Sequence, residues 1–597
     1  MENAKKSPTY VYALGGLEEI GKNTYVVEHE DEIILIDAGI KFANASLPGF
    51  DGTVANFEYL IKNNHKIHSL VVTHGHEDHI GGIPHILRHV NIKTIYAPTL
   101  AAKLIERRLS EYKDIKPPRI IIFEDESMYK TKHFEVDFYR VCHSIPDSFG
   151  ICVKTPNGYI VTTGDFRFDF ATAGDETNLA KISQIANRGI SVLMCESTSA
   201  EIPGFSESER YVIDNIRDYM VNIKGRTFIS TFASNLGRVE EIIAIAVGLN
   251  KKICIIGKSM EANIKTSRKL GYLNVPESSF ITHKELPFYK DHEIVVILTG
   301  SQGEKMAALN VMANNNHSKI TLKPSDTIIL SSNPIPGNYA QVEAMVNKLY
   351  KLGLTVYENS PNKKIHASGH ATRSEHQLMI KAINPSYLFP IHGEYKMFRA
   401  LKQNAVDQGF DKDHVIIATN GQKLQLLDGV LSHSNIHVDA EKPKFINGYE
   451  ISSKISKLLS ERVVLSSDGI LNLVLNADFK KAKLNSAVSI STRGCFFAKE
   501  STNLINKISN VAKSSLEDAL AKKEFDEKKL KEIVSGSVKS IVWKWRKKNP
   551  IINITIINND LVEQFRKDNN YVEFIKQTEV EEIEQEVDID DLISNGL

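Results

Sequence analysis

The stretch "VVTHGHEDHIGG", Val71–Gly82, puts three histidines and two acids into six consecutive positions straight after an apolar run. "SLVVT" reads as a strand ending just before His74. Gly75 permits a tight backbone path, a helix is expected to begin near Asp78, and Gly81-Gly82 allow a close approach. His74, His76, Asp78 and His79 then share one strand-to-helix turn. Such a turn can serve two metal ions, His74 and His76 facing one, Asp78 and His79 the other. Hydroxide-generating metal sites need imidazoles and carboxylates converging on one point. One loop histidine is ordinarily a surface residue, but four ligand types in HxHxDH order at a strand end form a motif.

The remaining ligands are expected at other strand ends. His143 in "VCHSIPDSFG", Asp165 in "VTTGDFRFD", His392 in "FPIHGEY" and Asp37 in "ILIDAGI" each follow an apolar run, next to glycine or a turn. Singly, each is more readily structural. Together they describe a metal site on the rim of a sheet.

The chain has 597 residues, enough for several domains. With 42% hydrophobic and 24% charged residues it reads as an ordinary soluble globular protein. Lys plus Arg and Asp plus Glu are equal at 73 each, so net charge gives no argument for a nucleic-acid partner. A groove needs only local positive charge. The five cysteines show no CxxC spacing, which fits a reducing compartment without a disulfide framework. "MENAKKSPTYVYALGG" lacks the apolar core of a signal peptide, and no long apolar stretch suits a bilayer. The expectation is a cytoplasmic protein with no membrane partner.

Early strand-like runs such as "TYVYALGG", "EIILIDAG" and "YIVTTGDF" mix with helical stretches, a layered α/β pattern. From about Ser206 the alternation becomes stricter: "RTFIST", "KKICIIG", "EIVVILTG" and "DTIILSS" each precede a helical stretch, which suggests a parallel sheet. Strands like the first set return with "YLFPIHGEY", so this second domain reads as inserted into the first. The expected domains are residues 1–205 with 371–445, the insertion 206–370, and a C-terminal domain 446–597. In the last, "VVLSSDGILNLVLNAD" and "SAVSISTRGCFFAK" read as antiparallel strands, followed by a charged helical region, the strand "IINITIIN" and an acidic tail, "TEVEEIEQEVDIDDL".

HxHxDH with a following His, Asp and His resembles the metallo-β-lactamase superfamily, and the inserted α/β domain narrows the likeness to the β-CASP nucleases. Within these, "ALGGLEEIGKN", "TFASN", "LTGSQGE", "HASGHA" and "PIHGEY" resemble the ribonuclease J family over about residues 8–445. "RGCFFAKE" and "WRKKNPIINITII" resemble that family's C-terminal domain. The implied fold is a metallo-β-lactamase αββα sandwich with an inserted β-CASP α/β domain and a small α+β C-terminal domain.

The resemblance implies two Zn²⁺: one on His74, His76 and His143, the other on Asp78, His79 and His392, with Asp165 bridging. Mn²⁺ or Mg²⁺ would also support activity. Imidazole and carboxylate suit Zn²⁺ or Mn²⁺, and two ions about 3.5–4 Å apart favour in-line displacement at phosphorus. Among the catalytic candidates, Asp37 resembles the family's acid that orients a ligand histidine or its loop, a helix or turn cap being the other reading. Glu196 in "LMCESTSA" occupies the acidic β-CASP position, where relatives commonly carry aspartate. With His370 it forms a candidate acid/base pair of unassigned roles.

His366, Ala367, Ser368, Gly369 and His370 form a small-residue loop before the helical "TRSEHQLMIKAI", and amides at a helix start can cradle phosphate. Ser234, Asn235 and Arg238 offer a similar turn, with ordinary helix capping the alternative for Ser234 and Asn235. The resemblance implies a pocket there for an RNA 5′-monophosphate, which favours 5′-to-3′ exonuclease action. Leu236-Gly237 stands where many relatives carry a bulkier Ile-His. Gly300 and Gly303 read as a phosphate approach or a plain helix cap. Trp543 and Trp545, beside Lys544, Arg546, Lys547 and Lys548, read as a base-stacking platform or, more readily, as an oligomer contact or domain face.

The expected activity is that of a di-metal RNA phosphodiesterase, both 5′-to-3′ exoribonuclease and endoribonuclease, in bacterial mRNA decay and rRNA maturation. Expected partners are single-stranded RNA, preferably with a 5′-monophosphate, a second copy through the C-terminal domain in a homodimer or homotetramer, and a paralogue or an RNA-decay complex. The rivals are a β-CASP endonuclease indifferent to the 5′ end or acting on DNA, a thioester or lactam hydrolase, and a non-catalytic RNA-binding scaffold. The inserted domain argues against the small-substrate hydrolase, and the complete ligand set against the scaffold.

Overall fold

The computed structural model describes residues 6–43, 47–171, 174–303, 307–334, 338–452 and 456–558. The acidic tail lies outside the described residues. The chain forms two compact units, one drawn from residues up to 42 and 52–451, the other from 43–51 and from 452 onward.

In the first unit, strand Thr9–Gly15 sends Val11 and Ala13 into one core and Tyr12 and Leu14 into another. That is the two-residue alternation of a strand covered on both faces. It belongs to an eight-stranded sheet in the order Val430–His437, Gln422–Leu427, Thr9–Gly15, Thr24–His29, Glu32–Ile36, Ile67–Val71, Thr94–Ala97, Arg119–Ile122. A six-stranded sheet runs Tyr387–Ile391, Ile190–Glu196, Gly158–Thr162, Ser148–Thr155, Glu135–Val141, Met128–Lys130. Val11, Val27 and Ile34 from the first sheet share a core with Phe138, Ile151, Met194 and Phe389 from the second. Helix Thr99–Leu109 covers the first sheet's outer face through Leu100, Leu104 and Ile105. Helices Leu179–Ala186, Arg373–Ile383 and Tyr395–Val406 cover the second's, through Ile182, Met379 and Leu401. This is the αββα sandwich that the resemblance implies.

Ile190–Glu196 and Tyr387–Ile391 pair in parallel, Glu196 opposite Ile391, although a whole α/β layer lies between them in sequence. That layer is a five-stranded parallel sheet, Lys252–Ile256, Ile294–Leu298, Thr227–Ser230, Thr327–Leu330, Thr355–Tyr357. Its near-continuous Ile and Val runs are what two-sided cover requires. Strands Glu32–Ile36 and Ile67–Val71 are parallel to each other, as are Gly158–Thr162, Ile190–Glu196 and Tyr387–Ile391. Their carboxyl ends lie on a common edge in each sheet, the place where such sheets hold ligands.

In the second unit, strand Ile470–Asp478 runs antiparallel to Ser489–Arg493 and parallel to Ile551–Asn558. Its Leu471, Leu473 and Leu475 meet a stripe of Leu530, Val534, Val538 and Val542 from helix Glu527–Arg546 and of Leu504, Ile508 and Leu516 from helix Thr502–Ala521. One sequence reading changes here. Val463–Ser467, expected as strand, ends the helix Ser456–Ser467. Asp468 and Gly469 both donate their N–H to the Val464 carbonyl, and Gly469 adopts φ +81°. The Asp-Gly pair is therefore a left-handed helix cap, which outweighs the modest strand preference of two valines. Among the described residues no helix is long and apolar enough to cross a membrane.

Within the five-stranded layer, Arg226 donates from Nε to Asp326 Oδ1 at 2.8 Å and from Nη2 to Asp326 Oδ2 at 2.5 Å, both residues buried. Breaking such a pair leaves an uncompensated buried charge. Asp326→Ala is expected to destabilise this layer by about 3–5 kcal/mol. Amide exchange of Thr227–Ser230 and Thr327–Leu330 in the variant is the check; unchanged protection would refute the claim.

Candidate metal centre

The rim of the sandwich gathers the strand-end residues. Asp37 follows its strand at φ +60° and is buried. Its Oδ1 accepts from Thr73 N at 2.8 Å, and its Oδ2 accepts from Thr73 Oγ1 and from His79 Nδ1, both at 2.8 Å. Thr73 Oγ1 lies 3.0 Å from His74 Nδ1. On the opposite side, His143 Nδ1 donates to the Gly369 carbonyl at 2.6 Å. Thr198 Oγ1 lies 3.2 Å from His392 Nδ1. These contacts fix ring tautomers, because a nitrogen that donates leaves the other with a free lone pair.

The free nitrogens then face one another. His76 Nδ1 lies 3.1 Å from His74 Nε2 and 3.0 Å from His143 Nε2. Asp165 Oδ2 is 3.7 Å from the former nitrogen and 3.8 Å from the latter. In a second group, His79 Nε2 lies 3.2 Å from Asp165 Oδ2 and 3.7 Å from Asp78 Oδ2. His392 Nε2 is 3.2 Å from Asp78 Oδ2, and its Nδ1 3.3 Å from Asp165 Oδ1. Asp165 Oδ2 is buried without a hydrogen-bond donor. Around His76 Nδ1, lone pairs directed at lone pairs in a buried site repel unless a cation sits among them. The separations resemble the ligand–ligand edges of a tetrahedron with bonds of about 2.0–2.1 Å. The donor set thus fits divalent-metal binding, in two candidate groups that share Asp165: His74, His76 and His143 in one, Asp78, His79 and His392 in the other.

Charge follows the same division. Burial lowers the His76 pKa to about 4 and that of His143 to about 3, and drives His74 well below the imidazole range. These three are neutral at pH 7, as ligands must be. Burial also acts against charge on His79 and His392, but the facing carboxylates outweigh it. Asp165, Asp78 and Asp37 raise His79 well above its usual range, and Asp165 with Asp78 and Glu196 pushes His392 up to about 10.

Next to the second group, Glu196 is fully buried at its strand end and accepts from His370 Nδ1 at 2.7 Å. His370 is 24% exposed, the open member of this pair. Burial lowers its pKa, yet Glu196 and Asp165 raise it above the usual value. Glu196 Oε1 is held by Phe166 N at 2.8 Å.

The loop His366–His370 sits beside this pair, and two buried arginines hold it. Arg238 pairs with both Glu209 oxygens, at 2.5 and 2.9 Å. It also donates to His366 Nδ1 at 2.6 Å, the Ser331 carbonyl at 3.2 Å and the Ala367 carbonyl at 3.1 Å. Arg167 reaches the Ser368 carbonyl at 3.4 Å and Asp169 Oδ2 at 3.0 Å. Arg238 was expected to face an anion; the structure spends its donors on protein groups and leaves it fully buried. Asn235 caps helix Leu236–Gly248 by accepting from Arg238 N, and Ser234 lines a cleft with Gly75, Arg107 and Arg108. Sequence reading missed Thr73, Thr198 and Arg167, whose roles depend on partners distant in the chain. Asn23, in the quoted "GKN", lies 3.1 Å from His79 Nε2 and had been given no role.

Because Asp37 reaches the ligands only through His79 and Thr73, Asp37→Ala is expected to weaken divalent-metal affinity about 10–100-fold while the sheet persists. Chelator competition, with circular dichroism as the folding control, reads this; unchanged affinity would remove Asp37 from the site.

Comparison with known proteins agrees with this arrangement. Residues 18–179 match the metallo-β-lactamase superfamily, 224–349 the ribonuclease J β-CASP domain, 362–417 the Zn-dependent metallo-hydrolase RNA specificity domain, and 457–559 the ribonuclease J C-terminal domain. Ribonuclease J of Mycoplasma pneumoniae is 46% identical over 556 residues, covering 92% of this chain and 97% of its own length. That of Mycoplasma genitalium shows the same identity and coverage. Ribonuclease J 1 of Streptococcus pyogenes is 36% identical, covering 93% and 99%. On identity sustained across nearly the whole of each partner, the chain belongs to the ribonuclease J family of the metallo-β-lactamase superfamily.

Proposed function

We propose that this protein hydrolyses RNA phosphodiester bonds at a dinuclear centre, working both from the 5′ end and internally. The observation that carries the reading is the convergence of the His74, His76, His143 and His79 ring nitrogens around the buried Asp165 carboxylate. The likeness to ribonuclease J supplies the substrate class. Two bound divalent cations, Zn²⁺ by donor chemistry, would supply Lewis acidity toward a phosphoryl oxygen and an activated water.

The chain's own groups do the rest. His74, His76, His143, Asp78, His79, His392 and Asp165 hold the centre, and Asp37 sets ring orientation. Glu196 accepts from His370 Nδ1 and, with Asp165, raises the His370 pKa, which favours the imidazolium and leaves its second proton, on Nε2, as the transferable one. In this reading that proton passes to the departing 3′-oxygen, and the downstream nucleotide keeps the 5′-phosphate. The loop Ala367–Gly369 has its carbonyls tied to Arg238, Arg167 and His143, which favours its amide edge, with Ser234 and Asn235, as the 5′-phosphate contact. Residues 1–205 with 371–445 would carry the centre, 206–370 the RNA-facing insertion, and 446–597 the contact between copies. mRNA decay and rRNA maturation in the cytoplasm are the setting that this activity suits.

One single-stranded RNA prepared with a 5′-monophosphate, with a 5′-triphosphate and as a circle tests the proposal under Mn²⁺, Mg²⁺ or Zn²⁺. Mononucleotides are expected mainly from the monophosphate form, and His76→Ala should abolish all cleavage. Equal internal cutting of all three would leave the centre standing and make the enzyme an endonuclease without 5′-end dependence. No cleavage under any metal would sink the nuclease reading.

A further inference from the structure

A second set of metal-type ligands lies at the far rim of the sandwich. Asn23, against His79, precedes the strand Thr24–His29, and His29 ends it. Six strand residues at about 3.3 Å each put His29 on the order of 20 Å from the dinuclear centre. His29 pairs with Glu32 across a two-residue turn, Glu30-Asp31. His133 belongs to the other sheet, two residues ahead of the strand Glu135–Val141. Ligand atoms of His29, Glu30 and His133 all lie within 4.8 Å of one another, and the two imidazole centroids are 4.9 Å apart.

The protein orients these groups. His29 is buried, its Nδ1 3.2 Å from Thr9 Oγ1, and the Pro8 carbonyl also faces the ring. Thr9 Oγ1 is itself fixed by Asn157 Nδ2 at 3.0 Å. With Nδ1 held by Thr9, the ring edge that bears Nε2 is turned away from Thr9, and a partner behind the ring is the arrangement found at ligating histidines. His133 is anchored through its backbone N–H, which donates to Glu32 Oε2 at 2.8 Å, and Thr131 Oγ1 donates to the same oxygen at 2.8 Å. The two hairpins are therefore docked before any ligand arrives.

Glu30 stands at φ +49°, a conformation that hairpin tips ordinarily give to Gly, Asn or Asp. Its Oε2 lies 3.9 Å from His133 Nε2. Asp31 Oδ1 is 2.9 Å from the same nitrogen and is shared with Lys132. Two imidazoles and a carboxylate from three backbone positions, open to water on one side, form the N₂O set that Zn²⁺ accepts.

We propose that His29, His133 and Glu30 bind a divalent transition-metal ion, Zn²⁺ by donor chemistry, that clips the two sheets together away from the catalytic rim. The proposal stands apart from the nuclease reading and predicts no part in RNA cleavage.

The test uses the full, tag-free chain, stripped by chelator, re-equilibrated with Zn²⁺ and freed of excess. Zinc per chain and the zinc-dependent rise in Tm are measured for the parent, His133→Ala, Glu30→Gln and the double variant His74→Ala/His76→Ala. His133→Ala and Glu30→Gln are expected to hold up to one ion fewer, to lose part of the Tm rise and to cleave RNA as the parent does. The double variant should lose zinc from the catalytic rim and keep this ion. Should His133→Ala fold poorly, the exposed Glu30→Gln carries the test alone. Zinc content and zinc-dependent Tm equal to the parent's in Glu30→Gln, and in His133→Ala where it folds, would overturn the proposal and leave a surface His133–Asp31 ion pair only.

Discussion

The buried carboxylate of Asp165 is the constraint around which the catalytic rim is built. Nitrogens of His79 and His392 stand 3.2 and 3.3 Å from it, and those of His74, His143 and His370 3.7–3.8 Å. Taking a carboxylate out of water costs several kcal/mol unless positive charge meets it. Burial alone would raise its pKa; His392, His79 and His370 outweigh burial and hold it well below the carboxylate range. No single segment supplies this many partners. Strands from the start, the middle and the end of the first unit have to finish at one rim, and the αββα arrangement does that.

The insertion is tied into the same rim by the two buried arginines. Glu209 opens the helix Glu209–Asn222 at the insertion's start, and Ala367 lies near its end; Arg238 joins them. The next two carbonyls, of Ser368 and Gly369, go to Arg167 and His143. A Cβ on Gly369 would meet Ser144 Oγ at 2.6 Å and His143 Cε1 at 2.8 Å, so only glycine allows that approach. His143 and His370 are thus referenced to the inserted layer through three consecutive peptide units. In a close-packed interior a shift of one is felt by the others.

How much of this the sequence disclosed depended on distance along the chain. His74 to His79 were legible because their chemistry is concentrated in six residues on one turn. His143, Asp165 and His392 were legible through position, each just past a buried strand. The sandwich and its insertion followed from strand periodicity and the family likeness. Arg238 was misleading: a cation near a glycine-containing helix start suggests an anion site, and only the fold reveals Glu209 and His366 already occupying it. Thr73 acts through an oxygen whose partners, among them Asp37 and His74, mean nothing until two parallel strands are aligned. Val463–Ser467 was read as strand because propensity is local, whereas the cap at Gly469 that ends its helix depends on a left-handed φ.

The backbone at the rim shows which part of the site the protein completes without ions. Asp37 and His392 both leave their strands in left-handed conformations, φ +60° and +47°. For residues with a Cβ this costs roughly 1–2 kcal/mol each. Asp37 recovers it from three hydrogen bonds to a charged acceptor, each worth about 1.5–3 kcal/mol. His392 is held by its N–H to Gly16 O at 2.9 Å and by Thr198 Oγ1 to its own carbonyl at 2.9 Å. Both strained turns are thus stabilised by protein–protein contacts, which set the direction of the side chains before any cation binds. The balance left open is electrostatic, between clustered lone pairs and carboxylates. Cations bound there would direct their binding energy to neutralising charge rather than to ordering loops.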